Sequence, residues 1–163
     1  MTTEVTIHTD GACLGNPGPG GYGVILDHRG RRKELSGGYS LTTNNRMELL
    51  AAIVGLEALT KPCQVTLFSD SRYLVDAVSK GWAAKWRSNG WMRNKREAAV
   101  NPDLWERLLD LLERHPTDFK WVRGHSGNPD NERCDALASA AARLDDLPED
   151  PGYSPASRPK SHR

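Results

Sequence analysis

The run TTNNRMELLAAIVGLEAL, residues 42–59, constrains the fold more than any other stretch. Met47, Leu50, Ala51 and Val54 recur at i, i+3, i+4 and i+7, and Leu49, Ala52, Ile53 and Leu56 do the same on the adjoining face. Two apolar stripes leave such a helix little surface to give to water, so it should be largely buried. Asn44 or Asn45 is placed to cap its start, and Lys61-Pro62 stops it. The cover for the helix comes from strands. EVTIHTD (4–10) alternates Val5, Ile7 and Thr9 against Thr6, His8 and Asp10, the two-residue period of a strand. YGVILD (22–27) and RKELSGGYSL (32–41) read as two more, joined by the turn HRG, with a bulge expected at Gly37-Gly38. QVTLFSD (64–70) and TDFKWV (117–122) read as the fourth and fifth.

Three further helices are expected: 71–81, one capped by Asn101-Pro102 and running to His115-Pro116, and a last one capped by Asn128-Pro129. The last should bury Cys134, Leu137, Ala141 and Leu144. The order is three strands, a helix, a strand, helices, a strand and a helix. That predicts an α/β fold, a mixed sheet with helices on its faces rather than a regular βαβ alternation.

At 163 residues the chain is about one domain. No apolar run approaches the roughly 20 residues of a membrane span, and MTTEVTIHTD lacks the apolar core of a signal peptide. Cys13, Cys63 and Cys134 are odd in number and far apart, with no CxxC pattern. The expectation is a soluble, cytoplasmic protein with free thiols. Residues 145–163, with Pro148, Pro151, Pro155 and Pro159, are expected to be a disordered tail.

The net charge of +1 conceals a local cluster. Lys80, Lys85, Arg87, Arg93, Lys95 and Arg96 face a single acid, Glu97, and are interleaved with Trp82, Trp86 and Trp91. Bases in this pattern attract a polyanion, and aromatic faces can lie against sugars or bases. The same tryptophans could equally form a small local core.

Gly18, Gly20 and Gly23 have the spacing of a GxGxxG dinucleotide loop. That loop must follow a strand and open a helix, whose N-terminus holds the pyrophosphate. Here YGVIL follows, so the fingerprint lacks its context.

The carboxylates carry more. Asp10 ends the first strand and Asp70 the fourth, Glu48 lies one turn into the buried helix, and Asp135 lies near the start of the last helix. Each has a local use, as a turn or helix cap or as a capping-box partner. If the first and fourth strands are parallel neighbours, however, their ends converge. Acids crowded at one spot repel unless protonated or neutralised by a cation. An all-oxygen set suits Mg²⁺ or Mn²⁺ rather than zinc, and two such ions can serve an in-line displacement at phosphorus.

Four segments, DGACLGNPGPGGYG, TTNNRMEL, SDSRY and WVRGHSGNPDNERCDALA, in this order and spacing, resemble the signatures of bacterial ribonuclease HI. The resemblance runs from about residue 3 to residue 144. It implies a ribonuclease H-like fold, a five-stranded mixed sheet flanked by helices, as one catalytic domain over 1–144 with a basic protrusion at 82–97. It implies a monomeric endonuclease that cuts the RNA strand of RNA–DNA hybrids with Mg²⁺, leaving 5′-phosphate and 3′-hydroxyl ends. By motif, Asp10, Glu48, Asp70 and Asp135 match the metal-binding carboxylates. His125 matches a loop histidine that aids proton transfer or product release. Gly11, Cys13, Asn16, Thr43, Asn44 and Asn45 match positions along the hybrid, with Asn16 and Thr43 at a DNA phosphate. Trp82, Lys85, Trp86 and Arg87 match the protrusion that grips the DNA strand. Two positions depart from the usual pattern, Ala12 for serine and Arg72 for glutamine. The Arg72 side chain could add a phosphate contact or disturb the reading of base edges. Two rivals remain at this point, a DNA-cutting relative on the same fold and a non-catalytic hybrid-binding module. A module of the second kind would be expected to have lost a metal carboxylate, and none is missing.

Overall fold

A computed structural model describes residues 3–153. Five strands, β1 (Thr3–Cys13), β2 (Gly18–His28), β3 (Arg31–Thr42), β4 (Cys63–Ser69) and β5 (Thr117–Trp121), form one sheet in the order β3-β2-β1-β4-β5. The β1–β2 and β2–β3 pairs are antiparallel, and the β1–β4 and β4–β5 pairs are parallel. Five helices complete it: α1 (Asn44–Glu57), α2 (Arg72–Ser79), α3 (Trp82–Ser88), α4 (Pro102–Arg114) and α5 (Pro129–Ala142).

The alternation of β1 sorts the two faces. Ile7 points at α1, where Gly55 lets the helix approach so closely that a Cβ there would lie 3.0 Å from Ile7 Cγ2. His8 points the other way, towards Asp130 at the start of α5. α1 is buried from Arg46 through Ile53 and again at Gly55 and Leu56, as its double stripe requires. α5 lies directly on the β2 backbone. A Cβ at Gly23 would sit 2.3 Å from Cys134 O, and one at Gly21 would sit 2.2 Å from Ala138 O. The glycines that imitate a nucleotide fingerprint are thus strand residues, and Gly23 is small because a helix rests on it.

Four local expectations are corrected. The α1 cap is Thr43, whose hydroxyl accepts from Arg46 N at 3.2 Å, and Asn44 is already helical. The register shift falls between Gly18 and Gly20, whereas Gly37 and Gly38 pair in step with Tyr22 and Gly21. Gly37 is instead the space taken by the Tyr22 ring, whose hydroxyl would lie 2.4 Å from a Cβ there. In α5 the buried stripe is Cys134, Ala138, Ala141 and Ala142, and Leu144 lies beyond the helix, exposed. Finally, residues 145–153 are not a loose tail. Ser40 N donates to Pro148 O at 2.9 Å, and Asp150 is buried against Arg46. An ion pair and sheet-edge hydrogen bonds order this segment, although its composition is proline-rich. The remainder of the expected tail, 154–163, lies outside the described residues.

Arg46 is the knot. Its Nε and Nη2 donate to Asp150 at 2.7 and 3.0 Å, and its two Nη atoms donate to Asp103 at 2.9 and 2.7 Å. Nη1 also reaches Asn101 at 3.2 Å. Burial opposes the guanidinium charge, but the hydrogen bonds and charges of Asp103 and Asp150 outweigh it and raise the pKa. One side chain thereby joins the start of α1, the start of α4 and the segment after α5.

Candidate active site

The pairing of β1 with β4 builds the site. β1 pairs with β4 only as far as His8 and Phe68, and then runs on against β2 alone to Cys13. Asp10 lies on the overhang, and Asp70 lies just past the end of β4. Glu48 enters from the first turns of α1. The approach is close, because a Cβ at Gly11 would lie 2.6 Å from Glu48 N. One oxygen each from Asp10, Glu48 and Asp70 lie within 4.8 Å of one another. Asp135, on α5, lines the same cavity of about 540 Å³ but stands outside that tight set. α5 is fixed beside it by Arg133, which donates to Glu34 at 2.7 and 2.8 Å, and by an ion pair between Arg32 and Asp130.

The electrostatics are those of an uncompensated acidic centre. Burial, then the charge of Asp70, a hydrogen bond with it and the charge of Asp135 push the Asp10 pKa up to about 8. Burial, followed by the charges of Asp10 and Asp70, holds Glu48 well above the ordinary carboxylate range. Glu48 Oε1 is buried with no hydrogen-bond partner. An orphaned carboxylate oxygen among like charges is costly, and a hard divalent cation is the ligand that removes the cost. No histidine or cysteine belongs to the tight set, so the donors fit Mg²⁺ or Mn²⁺ better than zinc.

The rim collects most of the remaining predicted residues. Gly11, Cys13, Asn44, Asn45, Arg72 and His125 line the carboxylate cavity. Asn16 and Thr43 line an adjoining one of about 620 Å³, and Asn45 belongs to both. Asn16 Oδ1 accepts from Asn44 N at 3.1 Å, tying the β1–β2 loop to α1. The Cys13 thiol faces Gly18 O and Thr42 O at 3.4 and 3.5 Å, and burial raises its pKa, which favours the thiol over the thiolate. His125 is exposed, with φ of 56°, on a loop that presses against the acids; a Cβ at Gly124 would lie 2.7 Å from Asp70 Oδ2.

The 82–97 segment divides its labour. Trp86 packs edge-on against the buried Trp105 at 5.9 Å, and Trp91 packs on the core. Arg87 is paired with Asp110 and Glu113, each at 3.2 Å. Trp82 is 44% exposed and Lys85 is exposed. Among the described residues no ion pair involves Lys85, Lys95 or Arg96. No sequence pattern singles out Trp121, whose indole Nε1 donates to Asp70 O at 3.0 Å. The Arg46–Asp150 pair is equally unmarked as a pair. Arg46 left one signal, a cation inside an otherwise apolar helix, whereas Asp150 in PEDPGY left none.

Fold and site together define a class: a mixed five-stranded α/β protein of the ribonuclease H-like kind, with an acidic centre where a parallel strand pair ends. Comparison with known proteins places it further. The family model described as RNase H matches residues 2–143. A "Ribonuclease H" of Syntrophus aciditrophicus is 67% identical over 150 residues, which are 92% of this chain and 87% of the relative. The crystal structure of LC9-RNase H1, a type 1 RNase H with the type 2 active-site motif, superposes with TM-score 0.77 at 33% identity, covering 87% of this chain and 73% of that one. LC11-RNase H1, solved in complex with RNA/DNA hybrid, gives TM-score 0.65 at 26% identity over 85% of this chain and 96% of its own. The chain belongs to the RNase H family.

Proposed function

We propose that this chain is an endonuclease that hydrolyses the RNA strand of RNA–DNA hybrids, giving 5′-phosphate and 3′-hydroxyl ends. The observation that carries the reading is the convergence of Asp10, Glu48 and Asp70, together with a buried Glu48 oxygen that has no hydrogen-bond partner. Family membership and the hybrid complex of LC11-RNase H1 support it. Asp10, Glu48 and Asp70 would hold the cation, with Asp135 across the cavity. By hardness it is Mg²⁺, with Mn²⁺ as a substitute. When bound, such ions neutralise charge at the phosphodiester and activate water for in-line attack.

The protein's own groups do the rest. Gly11, Cys13, Asn44 and Asn45 lie along the rim. Their backbone and amide groups suit a 2′-hydroxyl, which both donates and accepts and so marks RNA. This rim favours the hybrid reading over a DNA-only nuclease. Asn16 and Thr43 receive a DNA phosphate in the adjoining cavity. Trp82 and Lys85 meet the DNA strand, while Trp86 and Arg87 hold α3 in place for them. His125 moves a proton at the departing O3′. The domain acts as a monomer, and its three free cysteines fit a reducing cytoplasm. Among the described residues no helix is long and apolar enough to cross a membrane. We extend the catalytic unit past 144 to the Asp150 anchor.

The test incubates a labelled RNA–DNA hybrid, an RNA duplex and a DNA duplex with the protein, with and without Mg²⁺. Cleavage confined to the RNA of the hybrid and dependent on Mg²⁺ is expected. Cutting of the DNA duplex, or binding without any cutting, would replace the reading.

A further inference from the structure

Arg72 opens a helix, a position that does not itself favour a cation. It is the first residue of α2, whose cap Ser71 accepts from Leu74 N at 3.1 Å and whose first turn carries no acid. The positive end of a helix repels a guanidinium. Among the described residues no carboxylate lies within ion-pair distance of Arg72. Its guanidinium carbon instead rests 3.8 Å from the centre of the Trp121 ring. Stacked on an aromatic face, an arginine keeps its edge donors free for two oxygens of a phosphate.

Trp121 is itself tethered to the acidic centre. It ends β5, pairs in register with Ser69, and donates from Nε1 to Asp70 O at 3.0 Å. The backbone that carries Asp70 therefore also fixes the ring, and the ring fixes the guanidinium. Arg72 lines the same cavity as the four carboxylates. An acidic centre repels a nucleic-acid backbone, and a held cation at its edge offsets that repulsion without the loss of rotamer freedom on binding.

We propose that Arg72 is a clamp for a backbone phosphate next to the cleaved one, and that Trp121 is its positioning residue. This rests on the hybrid-nuclease reading above. Cleavage of one labelled hybrid is measured with Mg²⁺ across a KCl series for the unmodified chain, Arg72→Ala, Trp121→Leu, Trp121→Phe and the Arg72→Ala/Trp121→Leu pair. Arg72→Ala should raise KM about three- to tenfold while kcat stays within about twofold, and should lower the slope of log KM against log salt by about 1. Trp121→Phe keeps a ring under the guanidinium but loses the Nε1 donor to Asp70 O, so it should raise KM less than Trp121→Leu, which loses both. In KM the double variant should be no worse than Arg72→Ala, because the ring reaches the phosphate only through the guanidinium, whereas loss of the Nε1 bond to Asp70 O reads out in kcat. Additive effects on KM, an unchanged salt slope, or a Trp121→Phe defect in KM as large as that of Trp121→Leu would overturn the clamp. A KM change that follows the hybrid's sequence at constant slope would replace it with base reading. Failure of the unmodified chain to cut the hybrid would overturn both this inference and the reading beneath it.

Discussion

Asp150→Ala should be the most destabilising single change outside the apolar core. Asp150 accepts from Arg46 Nε and Nη2 at 2.7 and 3.0 Å, from the Thr42 hydroxyl at 2.7 Å and from Gly152 N at 3.1 Å. Both side chains of the ion pair are 2% exposed. Removing one partner of a buried pair leaves an uncompensated charge and costs about 3–5 kcal/mol. Asp103 still neutralises Arg46 from the other side, so the lower end applies, about 3 kcal/mol. At roughly 2–4 °C per kcal/mol for a chain of this size, the melting temperature should fall by about 6–12 °C. Asp103→Ala should cost less, about 1 kcal/mol, because that carboxylate is 43% exposed and water takes over part of its role. Adding Arg46→Met to Asp150→Ala should recover part of the loss, since it removes the stranded charge. Thermal unfolding followed by circular dichroism and by calorimetry reads all four proteins. A shift under 2 °C for Asp150→Ala, or a double variant less stable than the single, would refute the reasoning.

Asp10→Asn should abolish hybrid cleavage while leaving hybrid binding nearly intact; turnover like that of the unmodified chain would remove Asp10 from the site. The same variant tests the acidic centre without metal. The folded Asp10 pKa of about 8 exceeds the ordinary 3.8, so within that window the folded chain binds the extra proton and loses stability as pH rises. In chelator at pH 8, Asp10→Asn should therefore melt several degrees higher than the unmodified chain, and the gap should close towards pH 4. Mg²⁺ must displace that proton, so its apparent affinity, read from the rise in melting temperature, should fall at least about tenfold per pH unit below 8; a pH-independent affinity would contradict the raised pKa. Gly23→Ala puts a methyl 2.3 Å from Cys134 O and should cost about 1–3 kcal/mol, with kcat reduced because α5 carries Asp135. A variant with unchanged melting and turnover would show that the helix is free to shift.

Much of the molecule was legible because it is written in local patterns. The two-residue alternation of EVTIHTD and the double stripe of α1 each follow from what neighbouring side chains must bury, and β1 and α1 lie close to where those patterns place them. Asp70 could be read as the end of a strand and Glu48 as a residue of the helix before it, but Asp10, expected to end the first strand, lies within β1, which runs on to Cys13 paired with β2. Capping chemistry was less legible, since Thr43, Asn44 and Asn45 all can cap and only the backbone angles of Thr43 decide among them.

What the sequence by itself determined is therefore the kind and order of the main elements and the family signatures they carry, while several of their ends, the β1 overhang past Asp10 and the Thr43 cap among them, came only with the structure. The tertiary structure alone decided that β1 and β4 lie parallel and end at different places, which is what brings Asp10 and Asp70 to one cavity. It also decided that Trp86 packs inward while Trp82 stays in water, that Trp121 lies under Arg72, and that Asp150 returns across 104 residues to Arg46. Periodicity reports what a residue shares with neighbours three or four positions away. A contact between distant residues leaves no period, because either partner alone could be an ordinary surface group, and only their meeting makes it something else.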